Sequence, residues 1–385
     1  MDSLSHLALG AAVGTAVLGR KAAPRAALLG AACATLPDLD VLVQYGDPVR
    51  DFTYHRAATH SIFWLSVVAP GIAWLLARLR RAADDRAGVT YKEWWLLAWL
   101  ALVTHALLDA CTVYGTQLLL PFSDYPIGLG SVFIIDPLYT VPVAGGLAAA
   151  LALRRRDPGR ADRWNAAGLA VSTAYLAWAL AAQADVVGHL NRTLAATPLA
   201  DGRTLVTPTP FNTLLWRVLV MDDGAYYEGY VSLFDQRDRV ELVRHDNPTR
   251  LVADLQQDWA VRRLAWFSKG FYGVREAGPG VRVATRSTGS ARQLFGLVET
   301  ASAEQALPGR NPAPIVMTDL RMGQTPWFVF AFVVAERRGD AIVPVVPRQV
   351  PASRPPGAAA LSWLWRRIWD EDARLAYSSS QMRET

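Results

Sequence analysis

The sequence predicts an α-helical transmembrane domain, with about four spanning helices and a short N-terminal helical hairpin, followed by a mainly β soluble domain. Three observations predict it. The 385-residue chain is 52% hydrophobic and only 19% charged, against roughly a quarter charged in ordinary soluble proteins. The long apolar runs fall within residues 1–190, and clusters of arginine punctuate them at alternate connections. Beyond residue 190 the pattern changes to short runs of β-branched and aromatic residues separated by turn signals. This length accommodates two domains. We divide it into a helical membrane domain over 1–190, a mainly β domain over 191–346, and a Pro-rich linker with a C-terminal helix over 347–385.

The first two apolar segments, Leu4–Leu18 and Pro24–Leu36, are rich in Ala and Gly. They are shorter than the roughly 20 residues a span requires. They read as a tightly packed or re-entrant hairpin, with Gly10 and Gly14 permitting close backbone approach. Four further apolar segments read as spans: Ser61–Ala77, Trp94–Leu108, Pro137–Leu153 and Trp164–Ala184. Only the last reaches spanning length without its polar flanks.

The loops carry the topology. Arg20, Lys21 and Arg25 join the first two helices; Arg78, Arg80, Arg81, Arg86 and Lys92 follow the third; Arg154, Arg155, Arg156, Arg160 and Arg163 precede the last. The alternate loops hold little positive charge: Asp38–His60 has Arg50 and Arg56, and Thr112–Gly130 has neither Lys nor Arg. The positive-inside rule then places the basic loops in the cytoplasm. Everything after about His189 falls outside a bacterial inner membrane. The net charge of +5 is modest and its arginines sit in these loops, which is a topology signal and not a nucleic-acid footprint. No nucleic-acid partner is expected. Met1–His6 contains Asp2 and no Lys or Arg, so the start does not read as a cleavable signal. Cys33 and Cys111 lie in apolar segments and read as inert thiols.

In the second half, strands are expected within Thr204–Val220, Ala225–Arg244, Val261–Thr285 and Ile315–Val346. Asp222-Asp223-Gly224, Gly278-Pro279-Gly280 and Arg338-Gly339-Asp340 punctuate them as turns. Helices are expected near Leu255–Lys269 and Ala358–Tyr377.

Histidines and carboxylates gather at one end of the predicted helices. His6 opens the first and Asp38 and Asp40 close the second. His55 and His60 open the third, His105 and Asp109 lie near the end of the fourth, and Asp136 opens the fifth. Under the topology above, each falls at the outward end of its helix. His105 and Asp109 are four apart, hence on one helical face. Neutral imidazole and carboxylate are the ligands of zinc, manganese or iron, and ionisable groups at membrane depth are functional by default. Taken singly each has a blander reading, as a helix cap or a satisfied polar side chain. Arg56 is a candidate clamp for an anionic substrate, or a partner of Asp51 or Asp38. Asp40 reads as a catalytic residue, a ligand, or an orienter of a ligand histidine.

The signatures Met1-Asp2-Ser3-Leu4-Ser5-His6, Leu36-Pro37-Asp38-Leu39-Asp40, His55-Arg56 with Thr59-His60-Ser61, His105 to Asp109, Tyr114-Gly115-Thr116-Gln117 and Ile135-Asp136-Pro137-Leu138 resemble the YdjM-type inner-membrane metal-dependent hydrolase family. Trp266–Tyr272 and Asp319–Gly323 look like its long-form members. The family is itself distantly similar to zinc-dependent phospholipase C and fungal nucleases. The resemblance implies phosphoester hydrolysis, with His6, Asp38, His55, His60, His105 and Asp109 as metal ligands.

The expectation is therefore a membrane-bound enzyme holding one to three divalent ions, zinc first. Its partners would be the lipid bilayer and an amphiphilic or phosphoester substrate. The alternative is a non-enzymatic membrane protein with a structural metal site and a partner-binding outer domain.

Overall fold

The computed structural model describes the chain except residue 23 and residues 83–87, 237–238, 279–281, 285–303, 307–312, 353–356 and 375–385. The expected Gly278-Pro279-Gly280 turn, Arg86 and the end of the expected C-terminal helix lie outside the described residues. The chain forms two compact units. One comprises Met1–Asp40, Arg56–Ala181 and Pro210–Asn212; the other comprises Val41–His55, Ala182–Thr209 and Thr213–Thr385.

Among the described residues the first half of the chain holds seven α-helices: α1 (Ser3–Ala22), α2 (Arg25–Thr35), α3 (Pro48–Tyr54), α4 (Ile62–Ala82), α5 (Tyr91–Ala110), α6 (Pro137–Leu153) and α7 (Pro158–Leu194). In the helical unit α1 runs through Arg20 and Lys21, which favour a helix C-terminus. It packs on α2 through small residues. A Cβ on Gly14 would collide with the Ala26 carbonyl, and one on Gly10 with that of Gly30. α5 starts at a capping box, with Thr90 and Glu93 exchanging hydrogen bonds.

Two helices, not four, are long and apolar enough to cross a bilayer among the described residues: α4 over Ile62–Leu79, and α7. Only 22% of the first stretch and 28% of the apolar window in α7 is buried, so most of their side chains face outward, as lipid-facing helices do. α5 has the length at 20 residues but carries His105 and Asp109, and its Trp94, Leu97 and Leu102 are buried in the unit. α6 stops at 17 residues.

The second unit is mainly β. β1 (Arg203–Pro208), β2 (Leu215–Asp222), β3 (Ala225–Ser232) and β4 (Leu242–Asp246) form one antiparallel sheet in that order. Asp222 pairs with Ala225 across the expected turn, where Gly224 takes a positive φ of 74° as Asp-Gly hairpins require. β5 (Tyr272–Glu276) belongs to a second sheet. β6 (Arg282–Ala284) and β7 (Glu304–Ala306) form a ribbon, then come β8 (Ala313–Asp319), the short pair β9 (Gly323–Gln324) and β10 (Trp327–Phe328), β11 (Ala331–Arg338) and β12 (Ala341–Val350). The second sheet runs β12-β11-β8-β5.

β12 continues past Pro344 and Pro347 to Val350, so the start of the expected linker is strand. Its place at the sheet edge explains this, since an edge proline removes no ladder hydrogen bond. The helix expected near Leu255–Lys269 is a 3₁₀ turn over Thr249–Leu255 and then α8 (Trp259–Phe267), capped by Asp258. α9 spans Gly357–Trp369. The end of α7 joins this core, with Val186 and Leu190 against Trp216 and Val218. α3 belongs here too: Phe52 packs on Phe267, Phe330 and Phe332, and Arg263 donates to the Thr53 hydroxyl.

Candidate metal centre

Four side chains converge in the helical unit. Asp38 lies on the 3₁₀ helix Pro37–Leu42 that follows α2, and His60 ends the 3₁₀ turn Ala58–His60 that leads into α4. His105 and Asp109 stand one turn apart on α5. One ligand atom from each lies within 4.8 Å of all the others. Asp38 Oδ1 is 3.4 Å from His60 Nε2 and 3.5 Å from His105 Nε2. Asp109 Oδ2 is 3.3 Å from His60 Nε2 and 3.4 Å from His105 Nε2. The two Nε2 atoms are 3.1 Å apart.

Four of these separations, 3.3–3.5 Å, fit a small cation, and the contact between the two Nε2 atoms is slightly shorter. Metal bonds of roughly 2.0–2.2 Å to nitrogen and oxygen, arranged tetrahedrally, hold ligand atoms about 3.3–3.6 Å apart. The carboxylate of Asp109 is divided in function. Its Oδ1 faces His6 Nε2 at 3.1 Å, Arg56 Nη2 at 3.1 Å and the amino nitrogen of Met1. Its Oδ2 is buried without a hydrogen-bond partner and faces both ligand imidazoles. An orphaned buried oxygen costs about 1–3 kcal/mol, which a bound cation would offset.

The surrounding residues set orientation. Asp40 Oδ2 accepts the Thr59 hydroxyl at 2.7 Å, and Thr59 Oγ1 lies 3.0 Å from His60 Nδ1. The hydroxyl proton goes to Asp40, so Nδ1 is the donor in the second contact. His60 then presents Nε2 as a bare lone pair toward the centre, the tautomer a metal ligand needs. Asp40 also accepts the Arg56 backbone N–H at 3.0 Å, while the Arg56 carbonyl accepts from Gln117 N–H at 3.0 Å. These two bonds hold Arg56 in the left-handed region at φ 63°. A non-glycine residue there costs of order 1–3 kcal/mol and marks a functional constraint. The guanidinium is thereby laid over the Tyr114 ring at 5.0 Å and against Asp109. Neither Asp51 nor Asp38 is its partner in these contacts.

The other expected residues divide. His6 stacks on His105 at 3.7 Å and contacts Asp109, so it backs the four without joining them. Asp40 is turned toward Arg56 and Thr59. His55 belongs to the second unit, where it caps the C-terminus of α3. Asp136 is an N-cap: it accepts from Leu138 N–H at 3.0 Å and from the Tyr175 hydroxyl at 2.8 Å. Thr59 was not singled out, although its place beside His60 was the available signal.

Two largely exposed apolar helices of spanning length and a histidine–aspartate cluster point to a membrane protein with a candidate metal centre. The chain belongs to the YdjM inner membrane protein family, whose model matches residues 1–186 and so includes the whole cluster. It is 31% identical over 159 residues to a protein named YfhP of Bacillus subtilis (strain 168), covering 38% of this chain and 46% of that protein. It is 31% identical over 124 residues to the inner membrane protein YbcI of Escherichia coli (strain K12), covering 31% of this chain and 68% of that one. The match thus spans about half the length of the first relative and two thirds of the second. No solved structure matches the chain.

Proposed function

We propose that the protein is a membrane-bound, metal-dependent hydrolase acting on an ester or phosphoester of a lipid or envelope molecule. The observation that carries this reading is the set of five ligand separations between 3.1 and 3.5 Å around one point. Asp38, His60, His105 and Asp109 would hold one ion, zinc first and manganese or iron next, and a bound ion of this kind polarises an ester or phosphoryl oxygen and acidifies water. The chain supplies the rest. His60, His105 and Asp109 side chains are fully buried, whereas Asp38 is 21% exposed, so substrate would approach from the Asp38 side. Arg56, fixed by Asp40 and Gln117, sets a permanent positive charge beside Asp109, suited to an anionic oxygen. Thr59 and Asp40 keep the His60 tautomer. By the loop charges this site would face the outer side of an inner membrane. The likeness to zinc-dependent phospholipase C belongs to the same proposal.

Metal analysis of detergent-purified protein tests it, comparing wild type with His60→Ala and Asp109→Ala. Stoichiometric zinc, manganese or iron that both variants lose would support the centre and justify a screen of phosphodiesters and phospholipids. Protein that neither carries nor takes up metal would sink the proposal. The second reading, a structural metal site in a non-enzymatic protein, draws on the burial of three of the four ligands. It predicts stoichiometric metal with no hydrolysis and no water exchange at the ion.

A further inference from the structure

A second polar site lies in the helical unit where α1 and α6 end and α7 begins. A cavity of about 480 Å³ is lined there by Arg20, Lys21, Arg154, Pro158 and Gly159 among others, within the ~300–1,000 Å³ range of small-ligand sites. The carboxylates near it are already engaged: Asp162 accepts from Arg20 and Arg154 at 2.6 Å each, Glu93 pairs with Lys21 at 2.8 Å, and Asp157 accepts the Arg160 N–H. Arg154 is largely buried, its side chain 12% exposed, and its Nε and Nη2 are buried without a hydrogen-bond partner. Gly159 adds one backbone N–H in the first turn of α7, since Pro158 has none and the Arg160 N–H is taken by Asp157, and the helix dipole there favours an anion.

The place is as telling as the chemistry. The apolar helix α6 ends at Leu153 and α7, a candidate span, starts at Pro158, so the cavity sits at the arginine-rich connection between them. Arg154, Arg155, Arg156, Arg160 and Arg163 outnumber Asp157 and Asp162 over this stretch. Basic pockets between helices at that depth suit lipid head groups. We propose that this cavity binds a phosphate-bearing anion, the phosphodiester head group of an anionic phospholipid. The proposal stands apart from the His/Asp centre.

Native mass spectrometry of the full-length, detergent-purified chain tests it, with phosphatidylglycerol, phosphatidylcholine and inorganic phosphate titrated separately. The key variant is Gly159→Asp. A Cβ there meets only Asp157 Oδ1 at 3.6 Å, and an acidic residue in a first helical turn favours folding, while its charge repels an anion. Arg154→Gln is the companion variant. We expect phosphatidylglycerol to bind about ten-fold tighter than phosphatidylcholine, and both variants to lose that preference. The ligand-free thermal midpoint of Gly159→Asp should stay unchanged. Inorganic phosphate binding that Gly159→Asp abolishes, without a lipid preference, would support the anion site with free phosphate as its source. If neither lipid preference nor phosphate binding responds to Gly159→Asp, the proposal is overturned.

Discussion

Two buried polar clusters, one in each unit, handle charge in opposite ways. In the β unit Arg217 donates from Nε to Glu228 at 2.5 Å and from Nη1 to the Leu320 carbonyl at 2.7 Å. Glu228 accepts further from Thr325 N–H at 3.2 Å and the Tyr230 hydroxyl at 3.4 Å. Nearby in sequence, Arg321 and Asp319 form a two-point pair at 3.0 and 2.6 Å. Each cation meets its anion, and the cluster closes on itself with Arg217 Nη2 left over. In the helical unit four potential ligand atoms lie within 4.8 Å of one another, and Asp109 Oδ2 has no hydrogen-bond partner. Donor-to-acceptor pairing marks a structural ion pair; convergence of acceptors marks room for a cation that the chain itself does not supply.

The comparison breaks most sharply at the ligands. Asp109→Ala should remove bound metal altogether, with elemental analysis as the readout, and Arg217→Met should leave metal content unchanged. The next effect is on stability in the β unit. Arg217→Met strands the Glu228 carboxylate, which burial would otherwise push up and the Arg217 charge holds down. Breaking a buried pair on one side costs about 3–5 kcal/mol. Denaturation followed by hydrogen exchange in β2 and β3 should show that loss, and adding Glu228→Gln should recover part of it. Full stability in the single variant would mean that this cluster is not the closed pair described above.

A smaller effect is expected behind the metal ligands. Asp40→Asn keeps an acceptor for Arg56 N–H and Thr59 but weakens the chain that fixes His60. Metal affinity should fall about 10–100-fold without being abolished. A complete loss would instead make Asp40 a direct ligand, and no change would remove Thr59 from the argument.

Much of this centre could be read from sequence, for reasons that differ by residue. His105 and Asp109 share a helix face by their spacing of four. Asp38 and His60 were legible as polar residues at the ends of apolar runs. The same rule also picked Asp136, because an N-cap and a ligand both place a carboxylate at a helix start; only the bonds to Leu138 and Tyr175 tell them apart. The left-handed turn at Arg56 has no local signal, since it is imposed by Asp40 and Gln117 from distant segments. The span count erred for a related reason. Apolar runs alone do not separate a lipid-facing helix such as α4 from α5, whose apolar residues are buried in the helical unit. Prolines in β12 signalled a linker, and only its edge position shows why a strand tolerates them.

Lys269 supplies a third case, a largely buried ammonium set between the opposite charges of Arg321 and Asp319. It follows α8 at a positive φ of 56°, next to Gly270 at 78°. Burial, with the Arg321 charge, lowers its ammonium from 10.5 to about 8 against the opposing pull of Asp319. The sign follows from which state holds more protons. Between about pH 8 and 10.5 the unfolded chain keeps a proton on this amine that the folded chain has lost. Stability therefore rises with pH across that window, and the penalty for burying the ammonium is felt in full below it. Lys269→Met should flatten this part of the pH–stability curve. Competitive acylation read by peptide mass spectrometry gives the direct check, with half-maximal reactivity of Lys269 near pH 8. Titration at the ordinary lysine value would mean that Arg321 is fully neutralised by Asp319 and that solvent reaches the amine.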